Sequence, residues 1–516
     1  MSNVVLAVDC GTQSLRALLF DEKGRLLELS RVMYEPFRQI KPGWAEQPPD
    51  IYVKSLCKAV SELAAKRGSL SDVSAISITT QRATVVCVDE TGNPLRNAIV
   101  WLDQRKARPN AKIPWWMRIA HALVGMTESV KIAQMDAACN WIMQCEPEVW
   151  QKTHKFLLLS GFLNYVLTGT FRDSVASQVG HIPFNYKKRR WAQKGDLNWY
   201  LFPVDKSKLP ELVNVGETIG YLTREMARAT GLKEATPVIA SGTDKGCETL
   251  GLGAISEDCA ALSFGTTATV QVTTKKYFEP LRFMPSYPAV LPNHYNPEVE
   301  IFSGYWLVEW FQREFGVKSE SARNGENVWQ TLDRYLLHAP AGSVGLVVQP
   351  YWSPGLKTPE ARGSMIGFGS VHTREHVYKA VVEGLGYALY DGLKKIERAG
   401  KIKVKKAVVA GGGSTSEQVC QITSDILGLP IYRGETHEAA GLGAAIATFV
   451  GLGEYSSFEK AVKSMIRYGK KFDPMEKNTN LYRKIYNEVY DKIYPRLRKL
   501  YKALREITNY PQKVIH

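Results

Sequence analysis

The chain has 516 residues, 45% hydrophobic and 23% charged, which excludes global disorder, collagen and a disulfide-stapled miniprotein and allows two large or several smaller domains. Lys and Arg outnumber Asp and Glu by 66 to 51, a net charge of +15 that permits anionic partners without naming one. Eight scattered cysteines with no CxxC pair argue against structural zinc and for a reducing compartment. The opening MSNVVLAVDCG lacks the basic and long apolar regions of a signal peptide. No apolar run approaches the ~18 to 20 residues that span a bilayer, so a soluble cytoplasmic protein without a membrane partner is expected.

In chain order, VVLAVDC is a short apolar run broken by GTQS, and LRALLF and LLELSRVMY follow on either side of the Asp21-Glu22-Lys23-Gly24 turn. This predicts a strand, a tight Gly-Thr turn, a second strand, a hairpin turn and a third strand. Val53, Leu56, Val60, Leu63 and Ala64 then recur at helical spacing. VSAISITTQRATVVCVDETGNPLRNAIVW reads as strand, polar junction, strand, turn at Glu90–Asn93, strand. Residues 115–230 are expected to be mostly helical. TPVIASGTDKGCETLGLGAI predicts a strand, a polar junction and a Gly-rich helix, and CAALSFGTTATVQVTT a strand, a Gly-Thr-Thr turn and a strand. KKAVVAGGGSTSEQVCQITSDILGLPIYR gives strand, triple glycine, helix and strand, before the small-residue helix HEAAGLGAAIATFVGLG. Strand clusters alternating with helices indicate an α/β protein.

VLAVDCGTQSLRALLF and AALSFGTTATVQVTT share the plan strand, Gly-Thr, strand, about 250 residues apart. Two diverged copies of one hairpin imply two related halves facing each other across a cleft; a chance match of a short turn is the alternative. The expected division is 1–255, 256–455 and a helical extension at 456–516. No low-complexity linker separates the halves, so they are expected to be joined closely and to hinge.

Asp9-Cys10-Gly11-Thr12-Gln13-Ser14 ends the first strand. Glycine lets backbone approach an anion, free N–H groups and hydroxyls donate to phosphate oxygens, and an Asp there is able to hold Mg²⁺. The same residues also suit an ordinary hairpin turn. Ser263-Phe264-Gly265-Thr266-Thr267 keeps the glycine and hydroxyls but lacks the carboxylate. Gly411-Gly412-Gly413-Ser414-Thr415-Ser416, between a buried strand and a helix, suits an anion or a flat ring lying against backbone. No GxxxxGK[ST] and no complete GxGxxG occurs, so a nucleotide would bind by another architecture. Asp244 follows the strand PVIAS directly, placed to accept a proton from a hydroxyl; a helix N-cap is the competing reading. Gln81-Arg82 and Trp101–Arg105 are candidate sugar-hydroxyl ligands or paired surface groups.

Three other patterns are read as structural. His372-Thr-Arg-Glu-His376 matches an HxxEH string, but Thr373 is a natural N-cap and no third ligand is evident. Tyr482, Tyr486, Tyr490 and Tyr494, with Val489, Ile493, Leu497, Leu500 and Leu504, read as a packing stripe kinked or ended by Pro495. Lys187-Lys188-Arg189-Arg190 reads as solvated surface, and no nucleic-acid partner is expected.

The ordered set VDCGTQSLRALLFD, ITTQRATVV, WLDQR, SGTDKGCETLG, LSFGTTATV, EGLGYAL and AGGGSTSEQVCQITSDILG resembles the FGGY carbohydrate kinases over essentially the whole chain. The resemblance implies two ribonuclease-H-like domains of the actin, hexokinase and heat-shock ATPase superfamily flanking a cleft. ATP and Mg²⁺ would lie there, with the sugar deeper, mostly against the N-terminal half. By position, Asp244 resembles the catalytic base and Asp9 the Mg²⁺-associated acid. Gly11, Thr12 and Gln13 resemble the first phosphate loop, Gly265, Thr266 and Thr267 the second, and Gly411, Gly412 and Ser416 the adenosine loop. Gln81 and Arg82 align with the substrate-contacting segment.

Glycerol kinases place Glu after their Gln-Arg and Gln after their catalytic Asp; here Ala83 and Lys245 stand instead. Lys245 would hold an acidic group of the sugar, support the transferring phosphate or form a salt bridge. Glycerol is therefore disfavoured. A xylulose-like pentulose leads among small sugars and polyols, with a sugar acid such as gluconate as an alternative, and a homodimer is the expected assembly. The rival reading is a non-catalytic, nucleotide-binding regulatory member of the superfamily, against which the intact Asp9 and Asp244 count.

Overall fold

The computed structural model describes residues 3–109, 113–123, 127–352 and 360–510. Two six-stranded mixed sheets form its centre. In the first, Val4–Cys10, Ser14–Asp21 and Leu26–Met33 run antiparallel to one another. Val73–Thr80 and then Pro237–Ile239 add in parallel on the other side of Val4–Cys10, and Thr218–Tyr221 closes that edge antiparallel.

The second sheet repeats this plan. Cys259–Phe264, Ala268–Val272 and Glu298–Ile301 are antiparallel. Lys406–Ala410 and Ile431–Gly434 follow in parallel, and Tyr468–Phe472 is the antiparallel edge. The final helices of the two repeats, Asp244–Gly251 and Ala439–Gly451, pack against each other. The duplication expected from the two Gly-Thr hairpins is thus a duplication of whole sheets, and the likeness is not a chance match.

Both faces of each sheet are covered, which is why the strands read as nearly continuous apolar runs. Alternation sorts their side chains by face. Val4, Leu6 and Val8 meet Tyr52, Leu56 and Val60 of the helix Asp50–Arg67, while Val5, Ala7, Leu18 and Phe20 meet the small-residue helix Ala439–Gly451. In the second sheet, Leu262, Phe264 and Val270 pack on the long helix Arg374–Gly400. The two final helices approach so closely that a Cβ on Gly443 would lie 1.9 Å from the Cys247 carbonyl oxygen, and one on Gly251 would lie 1.9 Å from that of Ala439.

Residues 115–230 depart from expectation. Helices hold as far as Leu159–Thr168, but residues 169–223 are short strands and loops around one α-helical stretch, Leu197–Leu201. Pro183, Pro203 and Pro210 remove backbone donors, and the aromatic residues pack edge-on in a cluster, Phe184 against Tyr186 and Trp191, which a helical period does not describe.

The tail also differs. Tyr482, Tyr486, Tyr490 and Ile493 are buried against Arg374–Gly400, with Tyr387 in ring contact with all three tyrosines. Val489, Leu500 and Leu504, however, are exposed. A π-helical turn at Tyr486–Tyr490 precedes the helix Asp491–Thr508, which carries Pro495 within it and is not ended by it. The wider turn rotates the face that follows, so a stripe drawn at constant helical spacing leaves the core. His372 and His376 sit at the start of Arg374–Gly400, where Gly369 N–H donates to His372 Nδ1 (2.8 Å) and Thr373 N–H to His376 Nδ1 (3.2 Å).

Candidate active site

The two Gly-Thr hairpins end in the space between the halves, beside a cavity of about 840 Å³. Thr12, Gln81, Arg82, Asp244, Lys245 and Thr267 all line it, so residues from 12 to 267 meet in one place. Asp244 is the first residue of its helix, and the N-cap is Thr243, whose hydroxyl accepts from Gly246 N–H (3.2 Å). The capping reading of Asp244 is therefore taken over by its neighbour, leaving the carboxylate for the cavity. Burial raises the Asp244 pKa, and the cations Arg82 and Lys245 oppose that rise.

Asp9 and Arg16 are directly opposed across the first hairpin, and Arg16 lies 2.6 Å from Asp9 and 2.5 Å from Glu438 of the other half. Burial pushes Asp9 up to about 6 despite Arg16, with Asp244, Glu438 and Glu248 adding to the rise. Asp9 Oδ2 is buried, and the ion pair with Arg16 is its partner, with no well-directed hydrogen bond beside it. Among the described residues no cluster of three or more His, Cys, Asp or Glu is arranged to hold a metal. Asp9, with the carboxylates of Asp244, Glu248 and Glu438 close enough to raise its pKa, suits Mg²⁺, which takes one or two carboxylates and completes its shell with phosphate and water oxygens; the residues fit.

The first hairpin is braced from behind. Tyr34 donates to the Gly11 carbonyl (2.7 Å), and Thr12 Oγ1 donates to Gln81 Oε1 (2.8 Å) while accepting from Trp101 Nε1 (3.0 Å). Gln81 Nε2 reaches Tyr52 (3.4 Å), so Gln81 holds the loop as well as lining the cavity. Gln13 is exposed.

In the second hairpin Gly265 and Thr267 are half-buried and Thr266 is exposed. Gly411, at φ +95°, brings its loop against the backbone of Phe264, where any Cβ would clash at 2.7 Å. A Cβ on Gly412 would meet nothing within 4 Å, leaving open backbone beside the second hairpin. Ser416 caps the following helix, accepting from Val419 N–H (3.2 Å) and donating to Asp333 (2.5 Å).

Lys245 stands in a salt bridge: its Nζ lies 3.0 Å from Glu248 Oε2 and donates to Ser263 Oγ (2.6 Å), which donates on to Glu248 Oε1 (3.1 Å). The helix carrying Asp244 is thereby tied to the strand carrying the second hairpin. Burial would lower the Lys245 pKa, but Glu248 and Asp244 outweigh it and hold the ammonium charged. Arg82 is half-buried and acts on Asp244, donating from Nη1 to Glu298 Oε2 (2.5 Å) and from Nε to Thr243 Oγ1 (3.3 Å). Next to it Ala83 takes φ +56°, a conformation that a non-glycine residue adopts only under constraint. Asp103 and Arg105 are not surface groups: Arg105 is buried between Trp44 and Trp141 and paired with Asp103 (2.7 Å) and Glu46 (2.8 Å). Trp101 alone of that segment lines the cavity.

Sequence reasoning missed Arg16, Glu248, Glu438 and two acids of the second sheet, Glu298 and Glu300. The available signal for the last two was the alternation Glu-Val-Glu-Ile at 298–301, which puts both carboxylates on one face of a strand.

The model of the FGGY family of carbohydrate kinases, N-terminal domain, matches residues 4–251, and that of the C-terminal domain matches residues 260–452. The chain is 27% identical over 513 residues to the xylulose kinase of Lactococcus lactis subsp. lactis, covering 98% of both chains. Its fold matches that of gluconate kinase from Lactobacillus acidophilus with a TM-score of 0.83 at 22% identity, over 98% of this chain and 100% of that one. The ligand-bound xylulose kinase from the same species gives 0.83 at 22%, over 97% and 99%.

Proposed function

Since the chain belongs to the FGGY family of carbohydrate kinases, and so transfers phosphate from ATP to a sugar alcohol group, we propose that its acceptor is a neutral pentulose of the xylulose type and that Asp244 is the general base. The observation that carries the reading is Asp244 itself: half-buried, relieved of helix capping by Thr243, and set between two phosphate-loop hairpins on the wall of the cavity. In phosphoryl transfer the protein's chemical task beyond positioning is to take the proton of the attacking hydroxyl. The raised pKa of Asp244 makes it a stronger base than an exposed carboxylate.

In this reading the acceptor hydroxyl donates to the Asp244 carboxylate. As its oxygen bonds to the γ-phosphorus, the bond from phosphorus to the bridging oxygen breaks, the proton passes to Asp244 and ADP leaves. The loops Gly11–Gln13 and Gly265–Thr267 hold the triphosphate from two sides, and Gly411–Gly412 support the adenosine. Asp9, backed by Arg16, would hold Mg²⁺, which supplies neutralisation of phosphate charge. The ion pair between Arg82 of one half and Glu298 of the other, and the bond from Lys245 to Ser263, favour a closed cleft that excludes water. Eight free thiols support a reducing cytoplasmic setting.

A coupled ADP-release assay over ketopentoses, ketohexoses, polyols and gluconate, with mass spectrometry of the products, tests the reading. Release stimulated by xylulose or a close epimer is expected. Release by none of them would favour the non-catalytic alternative.

A further inference from the structure

Glu298 and Glu300 lie on the edge strand Glu298–Ile301 of the second sheet, and both line the cavity that Asp244 faces. Their strand alternates strictly: Val299 and Ile301 pack into the core with Arg374–Gly400, so both carboxylates fall on the cavity face. On the neighbouring strand they are opposite Gln271 and Thr269, and Thr267 bonds to Glu300, making a polar wall on the half opposite the one expected to hold most of the sugar.

The charge balance of this wall decides what it receives. Among the residues that line the cavity carboxylates outnumber Lys and Arg by seven to four, and Arg82 and Lys245 are already paired, to Glu298 and to Glu248 behind the wall. Lys187 and Lys395, the other cations lining the cavity, are solvent-exposed or partly so, and Lys395 is 2.6 Å from Asp391. Burial raises Glu300 to about 7, with Glu298 adding to the rise, so the repulsion Glu300 exerts on an anion is complete only above that pH. The site offers acceptors for hydroxyl donors, and the two cations that act on Asp244, Arg82 and Lys245, are both already paired.

Resting on the kinase reading above, we propose that Glu298 and Glu300 are specificity-determining residues: they accept hydrogen bonds from the hydroxyls of a neutral acceptor sugar and exclude sugar acids by like-charge repulsion. The acceptor is then gripped by both halves. Attraction and rejection come from the same groups, the arrangement by which a site discriminates between ligands of similar size.

Calorimetric binding of D-xylulose, two other neutral ketoses and D-gluconate to the full chain, without nucleotide, tests this alongside ADP release. The unmodified protein is expected to bind its best neutral ketose on the order of 10²-fold more tightly than gluconate. Glu300→Gln should weaken the ketose and strengthen gluconate, narrowing the ratio about tenfold. Glu298→Gln should narrow it further by freeing Arg82; if it fails to fold, judged by circular dichroism, Glu300→Gln carries the test. Gluconate bound as tightly as the best ketose, no ketose bound, or a ratio unchanged in Glu300→Gln overturns the proposal. Selective ketose binding without ADP release from any sugar would leave this assignment standing and remove the kinase reading.

Discussion

The two hairpins show what duplication preserves and what it frees. Aligned on Gly11 and Gly265, Asp9 matches Ser263, each two residues before its glycine and each opposed on the second strand, to Arg16 and Thr269 respectively. The backbone plan is the same, but one end holds a buried carboxylate with a guanidinium and the other a hydroxyl shared by Lys245 and Glu248. The faces beyond diverge as well. In the first sheet Val5, Ala7, Leu18 and Phe20 are covered by Ala439–Gly451, whereas in the second Thr269, Glu298 and Glu300 turn toward the cavity. The fold needs both sheets; the chemistry needs them to be unlike.

The largest break in this asymmetry is Asp244→Asn, which removes the only carboxylate at the start of its helix. Turnover should fall by about 10²–10⁴, while nucleotide affinity measured by calorimetry changes little. Making the hairpins alike comes next: Asp9→Ser is expected to lower Mg²⁺-dependent turnover about tenfold or more, seen as a displaced Mg²⁺ titration, and an unchanged titration removes Asp9 from that role.

The helix contact joining the halves gives a stability contrast. Gly443→Ala puts a methyl into the Cys247 carbonyl and should cost about 1–3 kcal/mol in denaturant unfolding. Gly412→Ala meets open space and should stay within about 0.5 kcal/mol while weakening nucleotide binding. The smallest effect concerns pH. Asp9 binds its proton more tightly folded, at about 6, than at its ordinary 3.8, so the stability it contributes is lost as pH rises between those values. Asp9→Asn should therefore gain up to about 3 kcal/mol relative to the unmodified protein at pH 8, and the gain should vanish below about pH 4.

Much of this molecule is written locally. A strand, a Gly-Thr bend and a second strand need only neighbours in the chain, which is why both hairpins, the turn before Asp244 and the Gly411–Gly413 loop could be read from residue order. Region 169–223 could not, since its prolines and aromatic rings pack by shape and carry no period. The same is true of the tail, where a π-helical turn resets the face.

The sequence by itself determined which residues end the strands and that two halves repeat, because alternation and turn chemistry act over a few residues. Only the tertiary structure decided that Arg82 is held by Glu298 and Lys245 by Glu248 and Ser263, and that Glu300 shares a wall with Asp244. Arg82 and Glu298 are separated by 216 positions; a charge has no preferred partner until folding removes water from around it, and which partner arrives is set by how two sheets close on each other.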